Sequence, residues 1–479
     1  MNNSGIILIT YPDSLGRDIR ALHGILNDHF KSAVAGVHLL PFFPSSGDRG
    51  FAPITYDAVA PAFGDWADVE ALARDYALTA DFMINHISAQ SVQYRDFLEK
   101  GKASPYADYF IDWASFWGPE GPTEAQAEMI YKRKPRMPYV EAAFRDGTGA
   151  NVWCTFSEEQ IDLDCFSPVC RLYIAGVLDA LCERGIRRIR LDAFAYATKK
   201  KDTNCFFVEP EIWELLDFCR DVTAPFGAEV LPEIHEHYSI QQKLADHGYA
   251  PYDFALPMLL LHALYYGEAK YLKSWLAVCP RRQFTTLDTH DGIGVVDVRG
   301  LLPDAEIEKT KDDIFRRGAN VKRVYSSSAY HNLDIYQVNC TYYSALGDDD
   351  GKYLVARAVQ FFAPGTPMVY YVGLLAGKND IALLEKTREG RDINRHAFDT
   401  AEIAREVERP VVKKLLALMA LRNAHPAFDG TFRLLSSADR EVGIRWENGG
   451  DWAELRADVA AARATILYTD GADIGKFEI

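Results

Sequence analysis

Nothing in this chain pairs its cysteines. The eight, at positions 154, 165, 170, 182, 205, 219, 279 and 340, form no C-x-x-C and no zinc-like spacing. Several sit inside apolar segments, where a thiol acts as a small core residue. A zinc ribbon and a redox dithiol are thereby excluded, and reduced structural thiols are expected. Long hydrophobic runs are missing too. The longest, "FALPMLLLHALYYG" (254–267), is broken by Pro257 and His262 and falls short of the ~20 residues a membrane span needs. The opening "MNNSGIILITYPDS" has no basic region, as a signal peptide would, so a cytoplasmic protein with no membrane partner is expected. Positive charge is scarce: Lys+Arg 52 against Asp+Glu 68 in 479 residues leaves −16. That field repels polyanions and makes nucleic acid a poor partner. A small anion could be held only in a local basic pocket. There is no internal repeat and no low-complexity stretch.

What the chain does contain is alternation. Short β-rich runs recur: "GIILITY" (5–11), "AGVHLLPF" (35–42), "LTADFMINH" (78–86), "IRRIRLDAF" (186–194), "AEVLPEI" (228–234), "YDFALP" (252–257), "QFTTLDTHD" (283–291) and "TPMVYYVG" (366–373). Between them, 65–77, 168–184, 209–222 and 351–362 read as helices. In 168–184, Cys170, Ile174, Val177, Leu178 and Leu181 mark one apolar face. Eight strands alternating with helices predict an α/β fold, a (β/α)8 TIM barrel. Two connections are too long for ordinary loops, and each is expected to be an inserted subdomain on the functional face. The expected division is barrel 1–86, insertion 87–165, barrel 166–291, insertion 292–351 and barrel 352–429. A small C-terminal β domain, 430–479, carries "TFRLL", "VGIRW" and "ATILY".

In such barrels reactive groups gather at the C-terminal ends of strands. Asp81, Asn85 and His86 fall there, as do Arg190 and Asp192, Glu233 and His235, and His290 and Asp291. Any one of them alone is as well explained as a satisfied core polar group. Acidic residues ending several different strands, beside histidines and an arginine, are harder to explain as packing. Two converging carboxylates suit retaining glycosidic chemistry, in which one attacks the anomeric carbon and the other protonates the leaving oxygen. On this reading Arg190 keeps the Asp192 pKa low, and a more enclosed Glu233 holds a proton near neutral pH. Arg188 shares the inward parity of Arg190, and Arg187 faces the helices.

"DFMINH", "IRRIRLDAF", "LPEIHEHY" and "FTTLDTHDG" resemble, in order, the four signature regions of the α-amylase superfamily (glycoside hydrolase family 13). "AGVHLLPFFPSSGDRGFAP" (35–53), "YDFALP", "NLDIYQVNCTYYSALG" (332–347) and "VYYVGLLAGKND…GRDINRH" (369–396) are similar to its sucrose phosphorylase branch, almost from end to end. The resemblance implies a retaining hexosyltransferase: sucrose plus phosphate gives α-glucose 1-phosphate and fructose, with no cofactor and no metal. It makes Asp192 the nucleophile, Glu233 the general acid/base and Asp291 the transition-state stabiliser. Asp48, His86, Arg190, His290 and Arg395 would hold the glucosyl unit between the aromatic walls Phe51 and Phe156. Tyr196 and His235 would lie near the acceptor, and Leu333, Asp334, Tyr336 and Gln337 on a mobile loop that touches fructose or phosphate.

Taken singly, Phe51 and Phe156 would be core residues and Asp334 a turn residue; the surrounding motifs raise them. "YKRKPRMP" (131–138) offers Lys134 and Arg133, with Arg136, as the local basic pocket for phosphate, although a basic run is more often a solvated face. A lysine there would bind as a point charge, without the arginine fork. The alternative acceptors are those of phosphorylases for sucrose 6′-phosphate or glucosylglycerol. The neutral "NLDIYQ" favours unphosphorylated fructose, against which His331 can be raised. An ordinary hydrolase or polymer-forming transferase is the next reading. A sugar-binding protein on a decayed barrel would have lost one of the three carboxylates. A homodimer is allowed by the sequence, which does not fix the oligomeric state.

Overall fold

The structure, a computed structural model, describes residues 5–319 and 337–479. In chain order the first strands are β1 (Ile7–Thr10), β2 (Gly36–Leu39), β3 (Ala77–Phe82), β4 (His86–Ser88), β5 (Tyr139–Ala143), β6 (Gly149–Trp153) and β7 (Gln160–Asp162). They are followed by β8 (Ile186–Leu191), β9 (Glu229–Pro232), β10 (Tyr252–Asp253), β11 (Phe284–Thr285), β12 (Ile293–Gly294), β13 (Gln337–Val338) and β14 (Thr366–Tyr370). One eight-stranded sheet, in the order β10-β11-β14-β1-β2-β3-β8-β9, contains a strand from each of the eight β-rich runs. All of its ladders are parallel. The strands therefore follow chain order around a (β/α)8 barrel. Among the described residues no ladder joins β9 to β10, so the hydrogen-bonded wall is open at that seam.

The helices form where apolar periodicity predicts them. Pro168–Glu183 starts with proline at its first turn, where a missing N–H costs nothing, and buries Cys170, Ile174, Val177, Leu178 and Leu181. Arg187 lies outside the barrel and donates from Nη1 to the Cys182 carbonyl in that helix's last turn, 3.2 Å away, a favourable place for a cation. Arg188, inside, is held by Glu229 Oε1 at 2.6 Å and Thr79 Oγ1 at 3.2 Å. The two arginines thus cap a helix and close the barrel floor.

Between β3 and β8, β4 pairs with β7 and β5 with β6, both antiparallel. Trp113, Trp117, Ile130, Trp153 and Cys205 form a small apolar cluster apart from the main core. After the last barrel helix, Pro410–Ala424, come β15 (Thr431–Leu435), β16 (Glu441–Asn448), β17 (Asp451–Asp458), β18 (Arg463–Asp470) and β19 (Asp473–Glu478). They form an antiparallel meander in chain order. The meander contacts the barrel through Trp446, whose indole donates to the Phe362 carbonyl at 2.8 Å. The expected β domain has five strands rather than three. β17 and β19 are rich in charge, which hid them. All eight cysteines are buried and free. Among the described residues no helix is long and apolar enough to cross a membrane.

Candidate active site

The ends of the parallel ladders place the carboxylates. The Asp192 N–H donates to the Phe82 carbonyl at 2.9 Å, and the Glu233 N–H to the Leu191 carbonyl at 3.0 Å. Each is the next rung after its strand, so both side chains emerge at the barrel mouth. Immediately after Asp192 the backbone turns left-handed at Ala193 (φ +52°), a conformation a non-glycine residue holds only under constraint. The turn aims the Ala193 N–H at Glu233 Oε2, 3.1 Å away.

Arg190 is the hub. It pairs in register with Asp81, with which it makes a short ion pair. Its Nη1 lies 2.8 Å from Asp192 Oδ1 and its Nη2 3.7 Å from Glu233 Oε1. His38 contacts the other Asp81 oxygen at 2.8 Å. Against the burial of Asp81, His38 and Arg190 hold its carboxyl down at about 2. Asp291 is likewise held well below the usual carboxylate range against its own burial, by Arg391, His290 and Arg395. Burial pushes His290 down to about 3, so its imidazole is neutral at pH 7 and lies 3.5 Å from Asp291.

Asp192 behaves otherwise. Burial pushes its carboxyl up, to about 8. Arg190 opposes this, but the charges of Glu233, Asp81 and Asp291 add to it. The expected low pKa is therefore corrected: a guanidinium shared among three carboxylates cannot offset desolvation for each of them. Glu233 is only slightly more enclosed than Asp192; their side chains are 12% and 14% exposed.

Around the carboxylates, Phe51 stacks on His290 with centroids 4.9 Å apart and planes at 5°. Its carbonyl meets His86 Nε2 at 2.9 Å and accepts from Gln160 Nε2 at 3.0 Å. Phe156 lies edge-on to His86 and to Tyr196, at 5.5 and 5.2 Å. Buried Arg395 donates to the His290 carbonyl at 3.1 Å. Its Nη2, 4.0 Å from Asp291 Oδ1, finds no hydrogen-bond partner among the described residues. Such unspent capacity suits sugar hydroxyls. Arg190, His235, Phe254, His290 and Asp291 share the walls of one cavity. His235 stacks on Phe254 at 3.8 Å and meets Gln337 Nε2 at 2.9 Å.

Leu333, Asp334 and Tyr336 lie outside the described residues, and only the backbone of Asp48, in the turn Asp48–Gly50, is placed. In the basic stretch Arg133 sits 6.0 Å from the Tyr196 ring, and Lys134 is half-buried. Arg136 donates to the carbonyls of Met137, Tyr139 and Phe156, which makes it a backbone strut under Phe156. Sequence reasoning missed Arg391, 3.1 Å from Asp291 Oδ1, although "GRDINRH" contains it. It also missed Gln160, for which no motif stood out.

The catalytic-domain family "Alpha amylase, catalytic domain" matches residues 11–247. A sucrose phosphorylase from Streptococcus mutans serotype c is 58% identical over 98% of both chains. A glucosylglycerol phosphorylase from Marinobacter adhaerens is 43% identical, over 98% of this chain and 97% of the relative. The crystal structure of sucrose 6F-phosphate phosphorylase from Thermoanaerobacter thermosaccharolyticum superposes with a TM-score of 0.96 at 41% identity, covering 100% of this chain and 98% of that one. A parallel barrel whose strand ends converge Asp192, Glu233 and Asp291, together with end-to-end relatives of this kind, establishes that the chain belongs to the α-amylase superfamily, in its branch of sucrose phosphorylases and related glycoside phosphorylases.

Proposed function

We propose that the chain transfers glucose reversibly from sucrose to phosphate, giving α-glucose 1-phosphate and fructose with retention. The observation that carries the reading is one guanidinium, Arg190, contacting both Asp192 and Glu233 where two parallel ladders end. Asp192 attacks the anomeric carbon while Glu233 gives its proton to the departing fructosyl oxygen. Phosphate then attacks the glucosyl-enzyme and returns a proton to Glu233, and two inversions restore the α configuration. Asp291, kept ionised by its arginines, stabilises the oxocarbenium-like transition state. His86, His290 and Arg395 grip the sugar between Phe51 and Phe156. No cofactor takes part. Arg133 overlies Tyr196 on the acceptor side, and with Lys134 it supplies the positive charge that phosphate needs on an acidic protein. The segments 87–165 and 292–351 act as the mouth's two covering insertions, and the reaction runs in the cytoplasm.

The test is purified protein with sucrose, with and without phosphate, and with sucrose 6′-phosphate in parallel. Glucose 1-phosphate and fructose formed only with phosphate support the reading. Free glucose released at a phosphate-insensitive rate overturns it in favour of a hydrolase, and preference for sucrose 6′-phosphate reassigns the acceptor.

A further inference from the structure

Behind the acceptor-side histidine lies a carboxylate that the reaction above does not use. Asp297, in the turn Val296–Val298, is fully buried. Its Oδ2 lies 3.5 Å from His235 Nδ1, and its Oδ1 has no hydrogen-bond partner among the described residues. The approach is built into the backbone: a Cβ at Gly294 would come within 2.7 Å of Asp297 Oδ2, so any larger residue there would push the carboxylate away. The other edge of the same imidazole, Nε2, lies 3.4 Å from Glu233 Oε1. Phe254, stacked at 3.8 Å and 19°, fixes the ring plane. Carboxylate, imidazole and acid/base carboxylate therefore form one line.

We infer that Asp297 is a positioning residue of the acid/base: it directs a proton to His235 Nδ1 and favours a second on Nε2, so that a cationic imidazole faces Glu233 whenever Glu233 is ionised. The inference rests on the assignment of Glu233 above. In the first half-reaction the C1–O bond to fructose breaks, Asp192 bonds C1, and the Glu233 proton leaves with fructose. The Glu233 carboxylate then sits beside the charged imidazole. In the second, a phosphate oxygen bonds C1, the Asp192–C1 bond breaks, and the phosphate proton passes to Glu233. His235 keeps its protons throughout and serves as the counter-charge. The Gln337 amide answers either state. Its N–H donates to an unprotonated Nε2, and the turned amide offers Oε1 to a protonated one.

The charged groups around this line are mostly acidic: Glu233, Asp291 and Asp297 face His235, and Glu236 and Asp253 lie near Asp297. Arg190 reaches the line at Glu233, its Nη2 3.7 Å from Oε1. Removing the Asp297 charge should therefore make the Glu233–His235 pair lose its last proton at lower pH. In Asp297→Asn the basic limb of kcat/KM for sucrose, at saturating phosphate, should move down by about one unit, an opposite charge within this distance being worth 1–3. In a His235→Gln background the same substitution should leave the limb in place. A limb unmoved in the first variant, or equal shifts in both backgrounds, would overturn the inference. Lost activity and stability with an unmoved limb would mean a merely structural role.

Should Asp297→Asn fail to fold, isotope-labelled histidine NMR on the wild type, with His235 assigned from His235→Gln, decides the matter. His235 still protonated above pH 6.5, the ordinary histidine value, supports the inference; neutrality at that pH overturns it. Absence of phosphorolysis in the wild type would instead be a failure of the functional reading.

Discussion

Asp192 shows how little a single neighbouring charge settles. Arg190 lies two residues before it on the same strand face and contacts it at 2.8 Å, yet burial and three nearby carboxylates carry the Asp192 carboxyl to about 8. Three expectations follow. Asp192→Asn should cut turnover by roughly 10⁴-fold or more while preserving the fold, as read by single-turnover kinetics and circular dichroism; substantial residual activity would refute the nucleophile. The second concerns stability. An aspartate with a raised native pKa holds a proton that the unfolded chain releases near pH 4. Native stability therefore falls as pH rises from about 4 towards 8, at up to about 1.4 kcal/mol per unit. Asp192→Asn removes that loss, so its gain in Tm over wild type should widen between pH 5 and 8 in paired melting curves; a pH-independent difference would count against the raised pKa. For the reaction, which needs Asp192 ionised, the acid limb of kcat/KM should lie above the ordinary carboxylate range.

At the scale of elements, the site's walls come from separate segments, and a buried ammonium ties them together. Lys199 Nζ lies 2.7 Å from Asp162 Oδ2 on β7, 2.7 Å from Asn85 Oδ1 after β3 and 2.6 Å from the Tyr196 carbonyl after β8. Asp162 in turn accepts from the Thr155 N–H, one residue before Phe156, at 2.9 Å. Lys199→Met would leave Asp162 buried without its cation, at a cost of about 3–5 kcal/mol, measurable by urea unfolding. Lys199→Arg should recover part of that loss. The sequence announced His86, Tyr196 and Phe156 through their motifs. It could not announce the lysine that holds them together, because the three oxygens around it are separated in sequence and meet only in the folded chain.

The whole molecule buries every one of its eight thiols. A thiol reagent should therefore titrate none of them in the native protein and all eight after unfolding, and reductant should not change the Tm; native reactivity would place a cysteine at the surface. Most of the fold was legible. The eight strand runs and the apolar face of Pro168–Glu183 follow from side-chain periodicity, a local property, and the strand-end carboxylates follow from where each run stops. β17 and β19 were not legible, because their charged residues break the apolar alternation.

The sequence by itself determined the eight barrel strands, and that Asp192 and Glu233 stand just past strand ends with Asp291 on the loop after β11, since periodicity and chain position are fixed residue by residue. Only the tertiary structure decided how those carboxylates are charged, that Arg391 reaches Asp291, that Arg136 is a backbone strut, and that Asp297 stands behind His235. Each of these depends on distance and desolvation between segments far apart in the chain, which act only once the barrel has brought them together.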